Sequence, residues 1–364
     1  MRVPRIGLAV LMFAATFARA GTFAVGGCRP NLPNYPTISA AVADPATAGS
    51  TIFVCAGTYN EQVLITQPLT LEGIAVGENS AAVVMPPSGT MQSINSNGNA
   101  GVVSYQIAVI NPGGPVNLKN LAVDGTGAMA QNTFLAGIFY QDASGSVTGV
   151  VARNQINFNA GIGILATTGD VVSGAQTITI TNSAVTNFDA YGINLAGASP
   201  LALTMKSNTI NSNTAGATGV IIGSGFTGTV SGTVVSNMIN TTIGLWLEGA
   251  SVTASNNPIR GMVSLLSGSN TLTGNHINAS TAQNGIGVLL KDAGANVVEL
   301  NNIVNATTAI SGCGNIGAGS SPASGNTVMH NTIINSTVGI YVPYGNTIVP
   351  NYFELVPTAV QPCL

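Results

Sequence analysis

Charge is what this sequence has least of. Only 6% of its 364 residues are Lys, Arg, Asp or Glu, about a quarter of the ordinary share. Such a shortage normally accompanies membrane spans, yet no run of 18 apolar residues occurs. Gly, Ser, Thr and Asn dilute the apolar residues throughout. Disorder is excluded as well, because 45% hydrophobic content rich in Val and Ile can bury a core. Histidine occurs twice, cysteine four times and Cys-x-x-C not at all, so zinc and redox motifs are missing.

The N-terminus carries the longest apolar stretch. Arg2 and Arg5 precede Ile6 to Phe17, and Ala18-Arg19-Ala20 follows. A positive start, a short apolar segment and a small-x-small end read as a secretory signal peptide over residues 1–20, too short for a transmembrane helix. Cleavage after Ala20 removes Arg2, Arg5 and Arg19 and leaves six bases against twelve acids. That balance excludes nucleic acid, which needs a basic face, and an anionic membrane surface. The mature chain is expected as a secreted, periplasmic or cell-surface monomer without a transmembrane segment. An even cysteine count in an exported chain suggests disulfides. Of three possible pairings, Cys28–Cys55 and Cys313–Cys363 are expected, one pair near each end.

A loose unit recurs: Asn-x-Ile, a few polar residues, then Gly-Ile-x-Leu. Copies include "NQINFNAGIGIL" from Asn154, "NMINTTIGLWL" from Asn237 and "NTIINSTVGIYV" from Asn331, with weaker ones at Asn256 and Asn302. The step averages roughly 25 residues, in the solenoid range and too short to fold alone. Short β-branched runs punctuated by Gly, Asn and Ser predict several strands per coil. Stacking would place each strand about 4.8 Å from its copy in the next coil. The scarcity of charge then has a cause: like charges at about that spacing repel by roughly 3–4 kcal/mol at an effective dielectric of 20. Asparagine suits the turn slots. It tolerates the left-handed backbone region, and its amide can donate to one neighbour while accepting from the other. A ladder is predicted through Asn154, Asn182, Asn208, Asn237, Asn275, Asn302 and Asn331.

This pattern resembles the right-handed parallel β-helix superfamily of pectin and pectate lyases, polygalacturonases and pectin methylesterases, and in texture the NosD-like repeat proteins. The resemblance covers about residues 28–342. It implies an all-β fold, a single right-handed parallel β-helix with a short N-terminal capping helix. The expected parts are the signal peptide (1–20), an N-terminal segment with the helix (21–50), the solenoid (51–342) and a capping tail (343–364). The helix falls in "YPTISAAVADPATAG" (35–49), starting at Thr37 or Ser39 and ended by Pro45 and Gly49. Four prolines in the tail would blunt an exposed sheet edge.

The catalytic motifs of those families are mostly missing. Glycoside hydrolysis needs paired carboxylates, and the slot before Gly-Ile holds no acid in any copy; Asp189 stands three residues before Gly192. Of the esterase pattern, Gly57-Thr58-Tyr59-Asn60-Glu61 and a Gln141-Asp142 pair are present. Glu61, lacking a partner carboxylate, is expected to bond turn N–H groups. Lyases of this fold use calcium held by clustered carboxylates and an Arg or Lys base. The acids here are scattered, and Arg260 in "NPIRGMV" is the best single base. Calcium enters only with that lyase reading; no other cofactor and no metal is expected. His276 and His330 fall about two coils apart, near 10 Å, and out of register.

The outward slot of the Gly-Ile-x-Leu strand reads Phe139, Gly163, Asn194, Ile221, Trp246, Gly287 and Tyr341. Aromatic rings stack on sugar C–H faces, and amides and carboxylates bond sugar hydroxyls. Tyr191, Asn194, Trp246 and Glu248 are therefore the expected ligand-binding residues. The leading expectation is a non-catalytic exported protein that binds a polysaccharide or surface glycan. The alternatives are a lyase acting on a uronic-acid polymer through Arg260, and a structural or adhesive solenoid.

Overall fold

The computed structural model describes residues 20–74, 81–97, 101–130, 133–169, 174–223, 230–292, 294–313 and 323–363. The expected signal peptide, apart from Ala20, lies outside the described residues.

The two halves of the sequence repeat form one packing unit. The Ile or Val of the Asn-x-Ile half points into the core at Val185, Ile210, Ile239, Ile259, Ile277, Ile303 and Ile333. The glycine of the Gly-Ile half exists to receive it. A Cβ on Gly192 would stand 2.6 Å from Ile210 Cγ2, and one on Gly219 2.6 Å from Ile239 Cγ2. Each glycine thus takes the isoleucine of the following coil, which no larger residue could do without shifting it.

Stacking these units builds parallel sheets. Among the described residues one sheet has fourteen strands. A second has twenty-three, in two stacks joined where Met238–Glu248 and Pro258–Leu266 run through both. The inward row Ile138, Ile164, Ile193, Val220, Leu245 is in register from coil to coil and buried throughout. This is a single parallel β-helix. Its one antiparallel pair among the described residues sets Ser93–Asn95 against Val102–Ile110.

The asparagine ladder exists, with a different membership. Each rung donates its Nδ2 to Oδ1 of the next: Asn208 to Asn237, Asn257, Asn275, Asn301, Asn331 and Asn351. Asn208, Asn237, Asn275 and Asn331 are rungs as expected. Asn302 is not, since Asn301 takes that slot, and Asn256 yields to Asn257 in the same way. Ser183, not Asn182, stands at the start, donating its N–H to Asn208 Oδ1 at 3.0 Å. Asn154 and Asn182 instead adopt positive φ. The rule behind every rung is local: it lies two residues before the inward-pointing Ile, Val or Phe. A second buried ladder, Asn270–Asn296–Asn326–Asn346, runs in the same direction. Coils between rungs vary from 18 to 30 residues, because loops of different length leave a conserved strand frame.

Both predicted disulfides are present, Cys28–Cys55 and Cys313–Cys363. The capping helix spans Ile38–Ala43 with Thr37 as its N-cap, and Ile38, Ala41 and Val42 are buried beneath it. The opening coil holds it at both ends. Glu61 Oε1 accepts the Ile38 N–H at 2.9 Å, and Oε2 accepts the Ser39 N–H at 2.8 Å and the Ser39 hydroxyl. At the other end Gln67 Nε2 donates to the carbonyls of Val42 (2.9 Å) and Asp44 (2.8 Å). A six-residue helix leaves its terminal amides and carbonyls without internal partners, and one coil supplies both sets. Glu61 therefore meets backbone N–H groups, but those of the helix start and not of a turn as expected.

Residues 343–363 of the expected capping tail (343–364) continue the solenoid; Leu364 lies outside the described residues. Thr347–Ile348, Tyr352–Glu354 and Thr358–Cys363 pair in parallel with the coil before them. Asn346 and Asn351 extend both ladders, so the frame carries on past the assumed boundary. Tyr344, Tyr352, Leu355 and Val360 remain exposed on this last coil.

One ion pair is present among the described residues, Arg153 Nε to Asp124 Oδ2 at 2.7 Å. Burial pushes the Asp124 carboxyl up, but hydrogen bonds from the Thr126 hydroxyl, Asn154, Arg153 and the Thr126 N–H outweigh it and hold the pKa at about 2. The unfolded value is about 3.9, so this stabilisation is complete above about pH 4 and lost as pH falls through about 2. Asp124→Asn should flatten the slope of Tm against pH in that window. An unchanged slope would show that other carboxylates carry the acid response.

Candidate functional site

Strand register fixes the outward row. It runs Phe139, Leu165, Asn194, Ile221, Trp246, Ser264, Leu289, Ser311, Tyr341. Five of the seven expected positions are correct. Gly163 and Gly287 are not in it; Leu165 and Leu289, two residues on, take their places. Both errors arise in Gly-Ile-Gly sequences, where either glycine matches the repeat. A two-residue slip preserves the alternation of faces, so hydrophobic pattern alone does not expose it.

Much of this row is covered. Phe139 and Leu165 join Val103, Tyr105, Ala108, Ala136 and Ile162 in a buried cluster outside the main core, with Ile94 and Tyr191 packed against it. Ile243, Met262 and Leu289 form a second cluster, against which Trp246 packs. Between the clusters the face opens into a cleft of about 570 Å³. Tyr191 and Trp246 both line it, with Asp189, Thr218, Ile221 and Ile243. The two rings come from coils two steps apart, about 10 Å along the axis.

Glu248 braces one ring, accepting from Trp246 Nε1 at 3.2 Å. Asn194 lies in the row between Leu165 and Ile221, and its Oδ1 is buried without a protein partner. Neither Asn194 nor Glu248 lines the cleft itself. Arg260 is exposed in a different column, opposite Asn240 and Asn278. It does not line this cleft.

One residue of the site, Phe158, went unread in the sequence, and Asp189, noted there only for its distance from Gly192, proves to hold the loop that carries it. Asp189, nearly buried, accepts the N–H groups of Asn157 and Asn159 at 2.8 Å each, and that of Gly161. Those bonds hold a loop whose tip is Phe158, at positive φ (49°) and 99% exposed. The only signal was an aromatic inside an asparagine-rich turn. Asp142 is likewise occupied, accepting from Asn97 Nδ2 and the Gly169 N–H.

The chain is similar in structure to a lacto-N-biosidase from Eubacterium ramulus. Its two structures give TM-scores of 0.55 and 0.53, at 12% and 11% identity. They cover 93% and 94% of this chain and 68% of that one. By fold, this is a right-handed parallel β-helix. The A-module of a mannuronan C-5 epimerase from Azotobacter vinelandii is more distant, with a TM-score of 0.43 at 16% identity, 90% of this chain and 95% of that one. Within the chain, residues 227–356 match the sequence model of a family described as periplasmic copper-binding protein (NosD). No curated protein matches.

The described histidines and cysteines do not build a copper site. All four cysteines are in disulfides. His276 and His330 are exposed and two coils apart, His276 being opposite Asn302 and that in turn opposite Thr332. No three of His, Cys, Asp and Glu converge among the described residues. No helix of the described residues is long and apolar enough to cross a membrane.

Proposed function

We propose that this chain is an exported glycan-binding β-helix that holds sugar rings against Tyr191 and Trp246. The observation that carries the reading is the meeting of these two rings in one cleft. Rings spaced along a solenoid axis suit a chain-like ligand with apolar ring faces. Buried clusters on either side keep the rings in place. Export is supported by the two disulfides, which persist in oxidising compartments, and by the signal-like N-terminus. The fold shared with an enzyme named for a glycan supports the ligand class and nothing finer.

Titration of the full chain against a panel of plant and bacterial polysaccharides tests the reading. Trp246→Ala should weaken binding at least about tenfold, the equivalent of roughly 1.4 kcal/mol, with Tm showing that the fold persists. Saturable binding that ignores the substitution would reject this site. A structural or adhesive solenoid is the second reading, favoured by the burial of Phe139, Leu165, Ile221 and Leu289 in the outward row; it expects no saturable binding at all. The lyase reading draws no support from the position of Arg260. It expects products absorbing in the near ultraviolet when uronate polymers are incubated with the chain and calcium.

A further inference from the structure

Two clefts flank Phe158. The one holding Tyr191 and Trp246 reaches Asn159 on one side of the loop. On the other side a cleft of about 500 Å³ is lined by Val102, Thr133, Phe134, Asn157 and Phe158 itself. A ring kept fully in water forgoes the burial that aromatic side chains normally gain. Its backbone also adopts a region that non-glycine residues enter at a cost. Three hydrogen bonds to the buried Asp189 carboxylate hold that conformation in place. The two clefts therefore share one rigid divider, tipped by an aromatic ring.

Neither cleft contains a cation. Beyond residue 20 the chain has six: Arg29, Lys119, Arg153, Lys206, Arg260 and Lys291. None lines either cleft. Arg153 is paired with Asp124, and Arg29 lies over the Phe53 ring at the N-terminal end. The segments 98–100, 131–132 and 224–229, next to these walls in sequence, contain no charged residue. The charged groups that are near are acids, Asp189 in the lining and Glu248 on the Trp246 ring. A polyanion entering here would meet like charge and no counter-charge.

We infer that this face takes an uncharged glycan, bound across two subsites with Phe158 stacking between them. The inference rests on the glycan-binding reading and narrows it to neutral sugars, against the uronate polymers of the lyase alternative. From the coil of Ala108 to that of Trp246 is five steps, about 24 Å along the axis. That is the reach of an oligosaccharide and exceeds that of a single ring.

Calorimetric titration of the full chain decides it. The probes are cellohexaose, mannohexaose and chitohexaose, their disaccharides, and hexagalacturonate and hexamannuronate, at low and high NaCl. At least one neutral hexamer should bind more tightly than either uronate, with affinity changed less than about twofold by salt. Phe158→Ala should weaken that hexamer about three- to tenfold and its disaccharide far less, whereas Trp246→Ala weakens both. A uronate that binds more tightly than every neutral probe, with affinity falling in salt, overturns the neutral assignment and leaves glycan binding standing. Equal effects of Phe158→Ala on disaccharide and hexamer overturn the two-subsite arrangement. Silence from every probe overturns this inference together with the reading beneath it.

Discussion

Asn301→Val should destabilise the protein by about 4 kcal/mol, while Asn302→Val, one residue on, should leave stability unchanged or raise it. The two residues are adjacent asparagines with opposite tasks. Asn301 Oδ1 accepts both the backbone N–H and the Nδ2 of Asn275, at 3.0 and 2.9 Å. Its own Nδ2 donates to Leu272 O and to Asn331 Oδ1. Valine removes all four bonds and leaves the Asn275 N–H orphaned inside the solenoid. Each buried polar group stranded in this way costs about 1–3 kcal/mol. Asn302 lies in a strand between His276 and Thr332, with its Oδ1 already buried and unpartnered. A β-branched residue suits that position. Paired denaturant titrations give the comparison. Equal losses for the two variants would mean that the amides contribute by volume and not by hydrogen bonding.

The second large effect is expected at Glu61. Glu61→Ala should cost about 3 kcal/mol, because bonds to an ionised group contribute about 1.5–3 kcal/mol and three of them converge here. The damage should be local. Amide exchange should accelerate over Ile38–Ala43 and over the core strands it covers, with the C-terminal coils protected as before. Glu61→Gln keeps an acceptor but loses the charge that favours a helix N-terminus, so it should fall between. Uniform acceleration along the whole chain would instead make Glu61 part of the global fold.

The segment around Glu61 shows how far sequence could go. The Gly57-Thr58-Tyr59-Asn60-Glu61 run resembles a segment of pectin methylesterases, and Glu61 serves backbone N–H groups, though of the capping helix and not of a turn. Which N–H groups it serves was not legible, because the helix it meets lies 23 residues upstream. Repeat, coil length and strand faces were legible because each rests on local periodicity, and both disulfides because one cysteine pair lies near each end of the sequence. Errors came where the local signal was degenerate. In Asn256-Asn257 and Asn301-Asn302 either asparagine fills the slot by composition; only the distance to the inward Ile separates them. Gly161-Ile162-Gly163 offers two equivalent glycines. Of the four expected ligand-binding residues, Tyr191 and Trp246 share a cleft, Glu248 reaches it only through its bond to Trp246, and Asn194 is outside the lining. Phe158 was out of reach, since no one-dimensional rule keeps a phenylalanine in a turn out of the core. Its exposure depends on a carboxylate thirty-one residues away in sequence, Asp189.

Both buried asparagine ladders run in one sense. Every rung turns its carbonyl toward the N-terminal coil and its amino group toward the C-terminal one, and the exposed pairs such as Asn335 to Asn305 run the other way in water. Aligned amides in a low-dielectric interior polarise one another. Their dipoles add instead of cancelling, as peptide dipoles do in an α-helix. The solenoid therefore has an electrical direction as well as a chain direction. Its negative pole lies toward the clasped helix end, and its positive pole at the last coil, where Asn346 and Asn351 end the two rows.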